Sequence, residues 1–168
     1  MLSYLLTPLG ALLGLLGLAV LVTILIAFYS GLLILISAIA PKFTAKCAKS
    51  ISSYTVRNFL VGLAILIAWV IAARLASSNE VAKNSIIAWG AVIIWSVKMF
   101  GGAAMVGLIG HKTLALKGKK SKDGVKNIVT GMSVVMLGIA TLIPGVIAFF
   151  ILSTIELGAT VCVRLGMK

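Results

Sequence analysis

The sequence predicts an all-α, polytopic integral membrane protein: four long hydrophobic helices arranged as two tandem helical hairpins. Three observations carry this expectation. Hydrophobic residues make up 61% of the 168 positions, and the mean hydropathy is +1.21. Charged residues are only 11%, against about 25% in a soluble globular domain. The charge is also one-sided, with 15 Lys and Arg against 3 Asp and Glu, a formal net charge of +12. This composition excludes a soluble globular chain, and its hydrophobicity excludes disorder. Metal-dependent catalysis has little to draw on, since only Asp123, Glu80, Glu156, His111, Cys47 and Cys162 offer ligands.

Four apolar stretches supply the helices. A span needs about 20 apolar residues, and backbone facing lipid must satisfy its own polar groups, so the spans are helical. The first stretch covers 9–40, with no charge before Lys42. The second covers 59–76 and is interrupted only by Arg74. The third covers 86–110 and contains Lys98, and the fourth covers 128–163 and contains Glu156. The first and fourth are too long for one flat span and too short for two. Strong tilt, an interfacial extension or a burying partner would accommodate the excess. Pro144-Gly145 should kink the fourth stretch, because Pro removes a backbone donor and crowds the preceding turn. The expectation is one broken helix there. The hairpins then occupy residues 1–80 and 81–168.

The loops set the orientation. Lys42, Lys46, Lys49 and Arg57 follow the first stretch, and Lys112, Lys117, Lys119, Lys120, Lys122 and Lys126 follow the third. Four spans place both groups on one side, opposite Arg74, Lys83, Arg164 and Lys168. The positive-inside rule then makes the basic loops cytoplasmic and both termini external. Cys47 would face inward and Cys162 outward, which forbids a disulfide within the chain. Ala38-Ile39-Ala40 has the small-x-small look of a signal-peptide cleavage site. The preceding apolar stretch is about twice too long for one, and no basic residue precedes it.

An internal repeat is visible. Val56-Arg57-Asn58-Phe59-Leu60-Val61-Gly62 resembles Val125-Lys126-Asn127-Ile128-Val129-Thr130-Gly131 at an offset of 69. At an offset of 70, Val22, Ile24, Gly31, Ile39 and Lys42 meet Val92, Ile94, Gly101, Ile109 and Lys112. The repeats are parallel, which argues against an inverted-repeat transporter.

Small residues recur at four-residue spacing: Ala64, Ala68, Ala72 and Ala76; Gly10 and Gly14; Ala27 and Gly31; Ala103 and Gly107. Such faces let helix backbones approach in lipid. There are more of them than one four-helix bundle needs, which points to a homo-oligomer. Lys98 lies near the middle of its stretch, where a charge costs at least about 2.5–3.5 kcal/mol on insertion scales. Glu156 is the only acid within a span. In one straight helix it lies at a different depth from Lys98. Pairing then needs a bend at Pro144-Gly145 or a staggered neighbouring subunit, and the latter is the expectation. Lys98 alternatively snorkels, or its helix breaks at Gly101-Gly102.

The ten basic loop residues are candidate contacts for phosphates, in lipid headgroups at about 1 kcal/mol each or in nucleic acid. Phe43 and Tyr54 are the only aromatics among them, so base stacking is not indicated. No catalytic constellation appears. Gly118-Lys119-Lys120-Ser121 looks like the tail of a phosphate loop, but Thr113 stands where its first Gly belongs. His111 is isolated. No metal, cofactor or small-molecule substrate is implied.

A helix, a short basic loop and a second helix, rich in small residues, resembles the major pilin of conjugative and archaeal DNA-import pili, here in two copies. The resemblance implies a non-enzymatic subunit of a homo-oligomeric, membrane-derived filament with bound phospholipid. Its basic loops, Lys42 to Arg57 and Lys112 to Lys126, would line a lumen near headgroups and translocated DNA. Such a subunit sits in the cell membrane before assembly into an extracellular pilus. Two other classes compete: a small channel, holin or transporter subunit with Lys98 lining the path, and an accessory subunit of a larger membrane complex.

Overall fold

A computed structural model describes residues 2–76, 80–118, 123–139 and 143–167. These form six helices and no strand: α1 (Leu2–Ile39), α2 (Pro41–Ser53), α3 (Thr55–Leu75), α4 (Glu80–Leu116), α5 (Gly124–Ile139) and α6 (Ile143–Arg164). Among them α3, α4 and α6 are long and apolar enough to cross a membrane. A fourth crossing exists if Thr23–Ile39 and α2 count as one broken span, while α5 is a shorter apolar helix. These are the helices of an integral membrane protein.

Pro41 ends α1. It lacks an amide donor and forces the residue before it out of the helical region. Ala40 accordingly sits at φ −126°, ψ 56°, and Pro41 opens α2. The axis turns by 107° between Thr23–Ile39 and α2. The segment expected as a basic loop is therefore an amphipathic helix. Thr44, Cys47, Ser50 and Ile51 are buried on one face, and Lys42, Lys46 and Lys49 are exposed on the other.

Two glycine crossings organise the rest. A Cβ at Gly62 would collide with the Thr154 carbonyl, and one at Gly158 with the Asn58 carbonyl. The pairing 58 with 158 and 62 with 154 makes α3 and α6 antiparallel. In the same way a Cβ at Gly110 would collide with the Asn127 carbonyl, and one at Gly131 with the Val106 carbonyl, so α4 and α5 are antiparallel. Backbones at this separation replace side-chain packing with direct contact, the arrangement favoured in lipid. The Asn-x-x-x-Gly signature shared by 58–62 and 127–131 thus has the same local role twice.

The tandem-hairpin arrangement is not what the structure holds. Among the described residues α1 and α3 make no contact, and α3 packs instead against α6. At the offset of 70, the positions that correspond to Val106 and Gly110 are Ile36 of α1 and Ala40 just after it. Ile36 is bulky, and Ala40 sits at the break before Pro41, so no glycine crossing can form there. α1 packs against α4 and α5. Leu33 is its fully buried anchor, set among Met99, Ala103, Val106, Ile128 and Met132.

The fourth stretch is also not one broken helix. α3 and α4 meet where the Trp69 indole donates to the Ile86 carbonyl at 3.1 Å and Gly90 faces the Trp69 ring. The helix that follows α3 thus runs back along it, and α6, antiparallel to α3, runs with α4. α5 runs against α4, so the chain reverses between α5 and α6. Gly145 makes the reversal tight, since a Cβ there would collide with the Gly138 carbonyl. The consequence is a correction to the expected sidedness. Arg57 donates to the Met167 carbonyl at 3.4 Å, so the end of α6 lies beside the first basic segment and not across the membrane from it. Cys47 and Cys162 are both free and fully buried.

Two predictions follow from this packing. In a background without native cysteines, Lys49→Cys and Met167→Cys should label from the same side of sealed vesicles; labelling from opposite sides would exclude this arrangement. Gly62→Leu should lower unfolding stability in detergent by more than the roughly 1–3 kcal/mol of ordinary overpacking, because the obstacle is backbone that cannot rotate away. Leu at Gly14, which has nothing within 4 Å, should be tolerated.

Candidate functional site

The sharpest chemistry lies where α1, α4, α5 and α6 converge. Lys98 Nζ is 3.8 Å from Glu156 Oε2, and both residues are only 8% exposed. The pair forms within one subunit. The expectation of a pair between staggered subunits counted Glu156 from Ile128 along a single helix. Counted from Ile143, after the reversal, Glu156 falls near the middle of α6.

Gly101 and Gly102 position the acid. A Cβ at Gly101 would collide with the Glu156 main chain, so α6 can lie on α4 only because none is present. At Gly102 an added Cβ would sit 3.6 Å from Glu156 Oε2 and 3.7 Å from Leu33 Cδ2. Lys98 is three and four residues before these glycines, hence on the same helix face. The glycine pair does not break α4, which continues through it. It is the landing site for Glu156.

The ammonium has few other partners. Its Nζ is 4.7 Å from the Phe149 ring centre and 5.5 Å from that of Trp95. Cation–π contact of this kind contributes about 2 kcal/mol when desolvated. Trp95 is itself held edge-on by Tyr29, with ring centres 6.2 Å apart. A cavity of about 240 Å³ opens beside the pair, bounded by Lys98, Glu156, Tyr29, Trp95, Phe149 and Met132. An ion pair, three aromatic rings and a small apolar hollow can hold a buried charge in place or receive a small amphipathic group. Among the described residues no cluster of His, Cys, Asp and Glu could hold a metal ion.

The remaining candidate residues divide. Ala103 is buried, and a Cβ added at Gly107 would sit 3.9 Å from Ile128 Cγ1, so both serve packing within the chain. Ala64, Ala68 and Ala72 are exposed on α3. Gly10 belongs to α1, and its surroundings lie outside what is described; Gly14 and Gly31 have open space around them. Lys112, Lys117 and Lys126 are exposed, whereas Lys119, Lys120 and Lys122 lie outside the described residues. Arg57 is half-buried, with its guanidinium carbon 4.2 Å above the Tyr54 ring. Sequence reasoning missed Trp95, Phe149 and the purpose of Gly101. The spacing Trp95-x-x-Lys98-x-x-Gly101 puts all three residues on one helix face and was the available signal. Phe149 had none, because its approach depends on the chain reversal.

Against protein-family models, curated proteins and solved structures, the chain finds no match.

Removing one partner of a buried pair leaves an uncompensated charge, at a cost of roughly 3–5 kcal/mol, whereas replacing both with apolar residues costs far less. Lys98→Met and Glu156→Leu should each destabilise the monomer, and the double variant should recover most of the loss. The check is a double-mutant cycle on detergent unfolding. Additive losses would mean that the two groups act independently.

Proposed function

We propose that the chain is a non-enzymatic structural subunit of a homo-oligomeric membrane assembly. The carrying observation is a contrast between core and surface. The two charges that lipid could not accommodate, Lys98 and Glu156, neutralise each other inside the subunit. The alanine row of α3 remains uncovered at Ala64, Ala68 and Ala72. Exposed leucines and isoleucines are ordinary on a lipid-facing surface. A row of small side chains does more, because it lets another helix approach closely. With no charge held back for a neighbour, association rests on helix packing through that row.

The narrower form of this reading is a pilin-like subunit of a conjugation-type DNA-transfer pilus. Its support is the sequence resemblance, together with the exposed lysines of α2. A second reading, a small channel, holin or transporter subunit, has one specific observation in its favour: the cavity of about 240 Å³ that includes Lys98 and Glu156.

The test is the oligomeric state of purified protein by native mass spectrometry and electron microscopy. Wild type should form oligomers or filaments. Ala68→Leu should shift them toward monomer by roughly tenfold, equivalent to about 1.4 kcal/mol, while leaving monomer unfolding unchanged. A wild-type monomer that carries solute flux in liposomes, abolished in the stably folded double variant Lys98→Met with Glu156→Leu, would overturn the structural reading and establish the second.

A further inference from the structure

The first basic segment does more than carry charge. Where α2, α3 and the end of α6 meet, a hollow of about 430 Å³ is lined by Lys46, Lys49, Ser50, Tyr54 and Arg57, together with Val163, Gly166 and Met167. Among the described residues, three cations line it and no carboxylate does. Each is placed differently. Lys46 and Lys49 stand on the exposed face of α2, whose other face is anchored by Cys47 and Ile51. Arg57 is held between the Tyr54 ring at 4.2 Å and the Met167 carbonyl at 3.4 Å. Among the described residues its buried Nε has no hydrogen-bond partner. A buried guanidinium donor left unmatched calls for an acceptor.

The other wall is also preset. Gly166 adopts a left-handed conformation, φ 68°, and the Met167 amide donates back to the Cys162 carbonyl at 3.0 Å. This turn sets Gly166 and Met167 against the hollow. Next to Arg57 on α3, Val56 and Leu60 are 72% and 58% exposed. A polar cationic hollow beside a bare apolar surface matches an amphiphile: an anionic phosphate head with a hydrocarbon tail.

We propose that this hollow is a binding site for the phosphate headgroup of an anionic phospholipid, with Arg57, Lys46 and Lys49 as its cationic contacts. Arg57 supplies a planar donor fork suited to phosphate oxygens, and the lysines supply point charge. The acyl chains run along Val56 and Leu60 of α3. The site needs a single copy of the chain, so it stands apart from the assembly reading.

The probe is phosphatidylglycerol as a minor component of phosphatidylcholine nanodiscs holding the full chain. The readout is the lipid retained after extraction into mild detergent, by mass spectrometry. Wild type should retain phosphatidylglycerol well above its bulk share. Lys49→Gln with Arg57→Gln should lose that enrichment by roughly fivefold for each cation removed. Lys117→Gln with Lys126→Gln makes the same charge change elsewhere and should retain the enrichment. Equal losses in the two double variants would reduce the effect to overall charge and overturn the site. Inorganic phosphate is the second arm. If it binds wild type with the same Arg57 dependence and strips the lipid, the hollow is a free-phosphate site and the lipid assignment falls. Arg57→Lys keeps the charge but not the fork; it guards against misfolding and should retain part of the enrichment.

Discussion

Contact between helix backbones at glycine is the constraint on which the remaining structure depends. Inside a bilayer, lipid tails are as apolar as side chains, so burial alone does not draw helices together. Dispersion and weak backbone hydrogen bonds remain, and both fall off steeply with distance. Gly62 and Gly158 bring α3 onto α6, Gly110 and Gly131 bring α5 onto α4, and Gly101 brings α6 onto α4. At each crossing the partner atom is a main-chain carbonyl, which cannot move aside for a larger residue. The three crossings together define which helix neighbours which.

The ion pair is a consequence of that arrangement. Lys98 and Glu156 belong to helices that share a long interface only because Gly101 and Gly102 remove the side chains between them. Once α6 lies there, the Glu156 carboxylate is delivered to the ammonium, and Phe149, less than two turns earlier on α6, is delivered to its other side. The same helix thus supplies an acid and a ring to one lysine. In a medium that solvates charge poorly, such a site tolerates the loss of both charges better than the loss of one.

The basic side of the molecule is ordered by Pro41 and α2. Without the bend, α1 and α2 would form one continuous rod that carries Lys42, Lys46 and Lys49 outward. With it, α2 folds against α4 and α6 through Cys47 and Ile51, which pack with Ala104, Met105, Ile155 and Ala159. Ser50 donates to Asn58 Oδ1 at 3.2 Å and so ties α2 to the residue that opens the α3–α6 crossing. The lysines of α2, the stacked Arg57 and the end of α6 are thereby brought together around one hollow, although Lys46 and Met167 are far apart in the chain.

The sequence by itself determined class and composition. Apolar stretches of span length dictate helices, because lipid leaves backbone polar groups no other partner. It also marked residues that matter: Lys98 and Glu156 as misplaced charges, and Asn58-x-x-x-Gly62 and Asn127-x-x-x-Gly131 as a shared signature; the break it put at Pro144-Gly145 falls earlier, between Ile139 and Ile143, and α6 runs through both residues. What it did not contain is direction. A run of apolar residues has the same hydropathy whether the chain continues straight or doubles back, and the reversal between α5 and α6 was therefore invisible. That reversal decided that Lys98 meets Glu156 within the subunit, that the chain end returns to Arg57, and that α3 pairs with α6 and not with α1. The physical reason is that helix partners in a membrane are selected by which surfaces let backbones touch, and touching is a property of two helices at once. One strand of sequence shows half of each such contact; only the packed structure supplies the other half.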